Sequence, residues 1–322
     1  MNGDPESTPA SPPPVPAPPI LADLPSLALP PVRGLPPEPP VGAALGVTVL
    51  YVVLLVVLQM VFTVALMVLR KPPQLGSWMT AATLFMAFGL LLPLIPLLLG
   101  CPLRELFRLR LPGPIALAGG LLLCLGAWLW ALEIGIVTER LLPMPEFIAK
   151  LFQELFSTAD PVGSLVLLVL VPPVVEESLC RGIVLRAMLA RWRPFWAVLA
   201  SAVVFGAIHM NPWQFVYATW IGLVIGWAYA RTRSLGLCLL MHAVNNGLSW
   251  LLIRWRPDLA IVSPDSPPPD HLPGVLLLGA SGLLLAGAAL ISRTAAGAAP
   301  SGARPFPSGP TSNPGSAPVG PG

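Results

Sequence analysis

Two adjacent carboxylates and an arginine lie inside an apolar stretch. The run from Val171 to Arg181 reads Val-Pro-Pro-Val-Val-Glu-Glu-Ser-Leu-Cys-Arg, and its flanks, Leu165 to Val175 and Ile183 to Leu189, are mostly aliphatic. An ionisable group at membrane depth costs about 2.5–3.5 kcal/mol even on lenient insertion scales, so it persists where it has a partner and a task. On a helix Glu177 and Arg181 are i, i+4 neighbours and pair along one face, while Glu176 is turned about 100° away. One glutamate is therefore neutralised in a structural clamp and the other is left to face a cavity. Two further polar sets sit in neighbouring apolar stretches. His209 follows Phe205 by one helical turn in Phe-Gly-Ala-Ile-His, and His242 and Asn246 are again i, i+4, with Asn245 turned away from them. A carboxylate in a low-dielectric cavity is a better general base than an exposed one. An imidazole beside a carboxamide offers two donors to a developing oxyanion. Alone, His209 reads as a packing histidine and Asn246 as ordinary interhelix glue; together with Glu176 they describe a site for hydrolysis built inside a bilayer.

Other chemistries compete with this one. Glu176, His209 and His242 could hold zinc as a His₂Glu set with one open position, but the His-Glu-x-x-His helix motif is absent. A metal-free glutamate mechanism is preferred, with no cofactor, and zinc is kept as the alternative. The four cysteines, Cys101, Cys124, Cys180 and Cys238, stand singly in or beside apolar segments and form neither a disulfide framework nor a zinc knuckle by spacing. Cys180 lies within the charged motif and is the one candidate for a thiol nucleophile. His271, in a loop rich in Pro and Asp, needs no functional explanation, and Glu133 is not read as catalytic. Gly222 and Gly226 form a Gly-x-x-x-Gly pair whose default meaning is close helix packing.

The elements that must position these residues follow from composition. Hydrophobic residues make up 55% of the 322 and charged residues 10%, far below the quarter or so typical of soluble domains. The chain is therefore an all-α, polytopic transmembrane helical bundle, since backbone groups in lipid must be satisfied within their own segment. About eight apolar spans are expected, near 43–69, 77–100, 113–137, 162–190, 195–210, 213–231, 235–253 and 273–292. The fifth is too short to be a confident span and ends at Asn211-Pro212. Residues 1–40 hold 15 prolines and read as a disordered tail without a cleavable signal; 294–322 read likewise as a Pro/Gly-rich tail. Between them lie N-terminal transmembrane helices over 41–140, a polar-motif core over 160–255 and a C-terminal transmembrane helix over 273–292.

Loop charge sets the orientation. With the amino terminus inside, Arg33, Arg104, Arg108, Arg110, Arg191, Arg193, Arg231, Arg233, Arg293 and Arg304 share the cytoplasmic side, against Arg70, Lys71, Arg140, Lys150, Arg254 and Arg256 outside, so both termini are expected in the cytoplasm. Trp192, Trp196, Trp213, Trp250 and Trp255 lie near span ends as interface anchors. The net charge of +3 gives no reason to expect a nucleic-acid partner. Sixteen Arg against two Lys hint at a GC-rich bacterial genome, and so at a bacterial cytoplasmic (inner) membrane.

Glu-Glu-x-x-x-Arg at 176–181, Phe-x-x-x-His at 205–209 and His-x-x-x-Asn at 242–246 occur in order within about 70 residues. Together they resemble the signature of the CAAX-prenyl-protease and bacteriocin-processing (CPBP, or Abi) family of intramembrane proteases, over residues 160–255. Ala230-Arg-Thr-Arg-Ser-Leu235 is also similar to that family, with Arg233 where many relatives have glycine. The resemblance implies a helical-bundle endopeptidase with its site open to the cytosol, acting on peptide or membrane-protein substrates. It implies Glu176 as activator of water, His209 as its helper, and His242 with Asn246 as oxyanion donors, with Glu177, Arg181 and Phe205 supporting the site. The rival readings are a proton-coupled transporter, in which buried Glu and His form a relay, and a non-catalytic immunity or scaffold protein. Against the first, every candidate residue falls between 176 and 246, with no matching second half.

Overall fold

The computed structural model describes residues 38–69, 75–107, 109–150, 161–256 and 270–297. The expected tails and Arg33, Arg70, Lys71, Arg108 and Arg304 lie almost wholly outside them. Among the described residues every regular element is helical. In chain order they are α1 Val41–Val68, α2 Leu75–Leu91, the short α3 Ile95–Leu99 and α4 Leu103–Leu106, and α5 Pro114–Leu141. Then come α6 Pro161–Leu189, α7 Pro194–Ala207, α8 Pro212–Thr232, α9 Leu235–Trp255 and α10 Gly274–Gly297. Each of the eight expected spans forms helix. Five of them (α1, α5, α6, α9 and α10) are long and apolar enough to cross a membrane, and the chain is an integral membrane protein. α2, α7 and α8 are not among the five, and α7, at 14 residues, is as short as its sequence suggested.

Helix α6 carries the two glutamates, and its backbone is irregular, in its first half for a reason written in the sequence. Pro172 and Pro173 have no N–H to return to the carbonyls four residues earlier. The helix opens into wider π turns over Val166–Leu170 and again over Ser178–Leu185, with one α segment between them at Val171–Glu177. Side chains take up carbonyl groups along this stretch. Asn246 Nδ2 donates to Leu168 O at 2.9 Å, Ser178 Oγ to Val174 O at 2.6 Å, and Ser201 Oγ to Cys180 O at 3.3 Å. Leu168 is the residue whose carbonyl Pro172 would otherwise leave without its helical donor.

Small residues set the helix spacing around α6. A Cβ on Gly126 would stand 2.6 Å from Ala280 O, and one on Gly287 2.6 Å from Gly119 O, so the backbones of α5 and α10 touch. Van der Waals contact of this kind drives association where lipid is as apolar as the side chains. A Cβ on Gly206 would collide with Thr219 Oγ1, so α7 and α8 close tightly into a hairpin. Of the Gly-x-x-x-Gly pair, Gly222 makes the close approach, to Ala202 and Phe205 at 3.2 Å, while Gly226 makes ordinary contacts. Indole N–H groups tie further pairs: Trp128 to Ser249, Trp130 to Ser281, Trp220 to Ala127 O, Trp250 to Ser164 and Trp213 to Leu142 O. Trp213 and Trp250 are thus helix ties, whereas Trp192, Trp196 and Trp255 are exposed as interface anchors would be.

At one end of the bundle Arg186 bonds Glu38 and the carbonyl of Glu105, Arg191 bonds the carbonyls of Pro39 and Glu38, and Ser234 bonds that of Arg110. Burial there also raises the Cys101 thiol above its usual range, which keeps it a weak nucleophile. Nearer the C-terminal end of α5, Glu133 receives His271 Nδ1 at 2.6 Å and Leu272 N at 2.9 Å, and Arg140 pairs with Asp270. His271, which the sequence left without a task, anchors the segment that leads into α10.

Arg233 ends α8 in the left-handed conformation, φ 51°. This position normally belongs to glycine, and a residue with a Cβ costs about 1 kcal/mol there. Arg233→Gly is expected to raise stability by about 1 kcal/mol, read as a higher thermal midpoint in detergent. A lower midpoint would mean that the Arg233 guanidinium, 6.0 Å from the Tyr229 ring, outweighs the backbone term.

Candidate active site

Four helices converge on one buried cluster. Arg181 is 1% exposed and Glu177 is 0% exposed, so neither charge survives here without its partner. Arg181 Nη1 donates to Glu177 Oε1 at 2.8 Å, Nη2 donates to Gly222 O at 3.1 Å, and the guanidinium lies 4.5 Å from the centre of the Phe205 ring. The same ring meets His209 edge-on at 5.3 Å and His242 at 5.5 Å. Phe205 is therefore the packing hub against which both imidazoles and the arginine are set.

The glutamate pair is used differently from the simple division read in the sequence. Glu177 serves Arg181, but its Oε1 also receives His242 Nδ1 at 2.7 Å. Glu176 lies on the other edge of that ring, its Oε2 4.0 Å from His242 Nε2 and 3.9 Å from His209 Nε2. His209 Nδ1 bonds the carbonyl of Phe205 at 2.9 Å. With an acceptor at each Nδ1, a neutral ring carries its proton there, and Nε2 of each ring, within 4.0 Å of Glu176 Oε2, is left as an acceptor. That oxygen is buried and has no hydrogen-bond partner in the protein. The sequence brings Glu176, His209 and His242 together as expected; that Glu177 orients His242 it did not reveal.

Asn246 is placed less simply. One of its N–H bonds goes to Leu168 O, and its Oδ1 receives Asn245 Nδ2 at 3.0 Å, so the interhelix bond weighed for it is formed. An oxyanion role would rest on its second N–H. The signal for the first bond was available in Pro172, which removes the normal donor to Leu168.

A gap of 3.9–4.0 Å is too long for a hydrogen bond and fits one water bonded to both the carboxylate and an imidazole. The donor types also match a His₂Glu zinc centre, and each imidazole has the outer hydrogen bond that ligating histidines carry. The spacing does not match as well. Ligand atoms about a tetrahedral zinc stand roughly 3.3 Å apart, and among the described residues no group of three His, Cys, Asp or Glu side chains is arranged to hold an ion.

Cys180 sits in the same cluster, fully buried, with Arg181 and both glutamates as electrostatic neighbours. A buried structural thiol of this kind is inert. Cys180→Ala should keep activity within about twofold, and the native thiol should resist electrophiles in the folded protein. Loss of activity in that variant, together with labelling of the native thiol, would reinstate it as a nucleophile.

Residues 158–248 match the family described as Type II CAAX prenyl endopeptidase Rce1-like. A relative, YdiL of Bacillus subtilis (strain 168), provisionally named a membrane peptidase, is 30% identical over 77 residues, which is 24% of this chain and 32% of the relative. The chain thus spans about a third of the length of the curated relative it matches. No solved structure matches it significantly.

Proposed function

We propose, from the match of residues 158–248 to the Type II CAAX prenyl endopeptidase Rce1-like family, that the chain is an intramembrane endopeptidase using a glutamate-activated water. The observation that carries this reading is the convergence of Glu176 Oε2, His209 Nε2 and His242 Nε2 within 4.0 Å around a buried carboxylate oxygen with no partner. In this reading a water donates one hydrogen to Glu176 and the other to His209 Nε2, leaving a lone pair for the peptide carbonyl carbon. Glu176 takes the proton as the C–O bond forms and delivers it to the amide nitrogen as the C–N bond breaks, giving a carboxylic acid and an amine. His242, held by the Glu177 carboxylate, donates from Nε2 to the oxyanion when it carries its second proton, and the free N–H of Asn246 is the second donor.

The substrates in this reading are peptides or membrane-associated proteins that reach the bilayer interior. Glu176 is 15 residues from Pro161 and 13 from Leu189, about 20 Å from either end of α6. Counted over eight crossings, loop charge supports cytoplasmic termini with substrate entering from the cytosol, and the Arg-rich composition supports a bacterial inner membrane. The test is cleavage of membrane-derived peptides by purified protein in detergent, with elemental analysis of the same sample. We expect cleavage that survives a strong chelator and metal well below one ion per chain. About one zinc per active chain, lost with activity on chelation and restored with it, would reassign Glu176, His209 and His242 as ligands.

A further inference from the structure

The matched segment begins at residue 158, yet α1, outside it, packs against the part of α6 that follows the two glutamates. The buried residues of α1 are Ala44, Val47, Thr48 and Tyr51, an i, i+3, i+4, i+7 stripe, and α1 packs on the Ser178–Leu185 stretch of α6. The last of the four, Tyr51, is 2% exposed and belongs to the same buried cluster as Val175 and Leu179. Its hydroxyl is buried and has no hydrogen-bond partner in the protein, which is also true of Glu176 Oε2. Glu176 and Cys180 are the ionisable side chains that act electrostatically on the phenol. Tyr217 is also within reach of Glu176, but its hydroxyl has Gln214 as a partner.

A buried phenol ordinarily finds a hydrogen-bond partner, because leaving the hydroxyl unsatisfied is costly. Any other residue of the lipid-facing α1 could fill the space with carbon alone. Two buried polar atoms without protein partners, on helices that pack together, are groups that bound water satisfies. Resting on the reading above, we propose that Tyr51 is a positioning residue of the site, its hydroxyl holding, together with Glu176 Oε2, the water that attacks the peptide bond. The phenol donates to one lone pair of that water, whose hydrogens go to Glu176 and His209, and the second lone pair is aimed at the substrate. α1 then supplies part of the active site rather than only its lipid-facing wall.

The test compares Tyr51→Phe with wild type in two ways. In kinetics, Tyr51→Phe should lower kcat about 10- to 100-fold, the worth of one hydrogen bond in a charged network, with KM and the thermal midpoint unchanged. A kcat within twofold of wild type, or a loss accompanied by a lower thermal midpoint, overturns the proposal. The second readout needs no activity. The chain has three tyrosines, so with ring-¹³C tyrosine the Tyr51 infrared band is identified by difference against Tyr51→Phe. That band should shift in Glu176→Gln; an unmoved band overturns the proposal. A protein that cleaves no peptide but shows the shift would sink the peptidase reading and leave the shared water standing.

Discussion

Glu176→Gln should reduce peptide cleavage by at least about 10³-fold while the protein purifies with the yield and thermal midpoint of wild type. The amide keeps the size of the carboxylate but cannot take a proton from water. Stability should hold because Glu176 Oε2 makes no hydrogen bond within the protein, so no buried partner is stranded by the change. The measurement is the single-turnover rate on one membrane peptide, beside the melting curve of the same preparation. Activity within tenfold of wild type would remove Glu176 as the base. His209→Ala and His242→Ala should each be heavily impaired too, but they do not separate a water-activating glutamate from a metal site.

The second large effect is on stability. Arg181→Ala removes the cation that neutralises Glu177, the donor to Gly222 O and the group stacked on Phe205. An unpaired carboxylate is left in a place with no exposure, at a cost of about 3–5 kcal/mol, and most of the protein should be lost to aggregation or melt far below wild type. The double variant Glu177→Gln/Arg181→Met should recover most of that stability, because both charges leave together. It should stay inactive, because His242 Nδ1 has then lost the carboxylate that receives it at 2.7 Å. Size-exclusion profiles and melting curves decide the first half, and cleavage assays the second. A stable Arg181→Ala would show that the clamp does not hold the fold, and an active double variant would show that Glu177 does not orient His242.

Much of this site was legible before any fold was known. Charge in an apolar run has so few benign explanations that Glu176, Glu177 and Arg181 announced themselves, and helical spacing paired Glu177 with Arg181 correctly. The same logic selected His209 and His242, since apolar spans give an imidazole little else to do. What spacing along one helix does not contain is the contact between helices. The bond from His242 to Glu177 spans 65 residues, that from Arg181 to Gly222 spans 41, and that from Asn246 to Leu168 spans 78. Tyr51 was hidden for a different reason: a tyrosine in an apolar helix is unremarkable until its hydroxyl is found buried without a partner. The eight apolar stretches were visible as helices, and five of them are long and apolar enough to cross a membrane, a set that leaves out α2, α7 and α8.

The most direct test is one turnover of a membrane peptide by the purified protein in ¹⁸O-enriched water, with mass spectrometry of both product and protein. Direct attack by a Glu176-activated water predicts one heavy oxygen in every new carboxyl terminus, an unchanged protein mass, and intact peptide with Glu176→Gln. A peptide adduct on the protein, or an unlabelled product with the heavy oxygen transferred to a protein carboxylate, would contradict it.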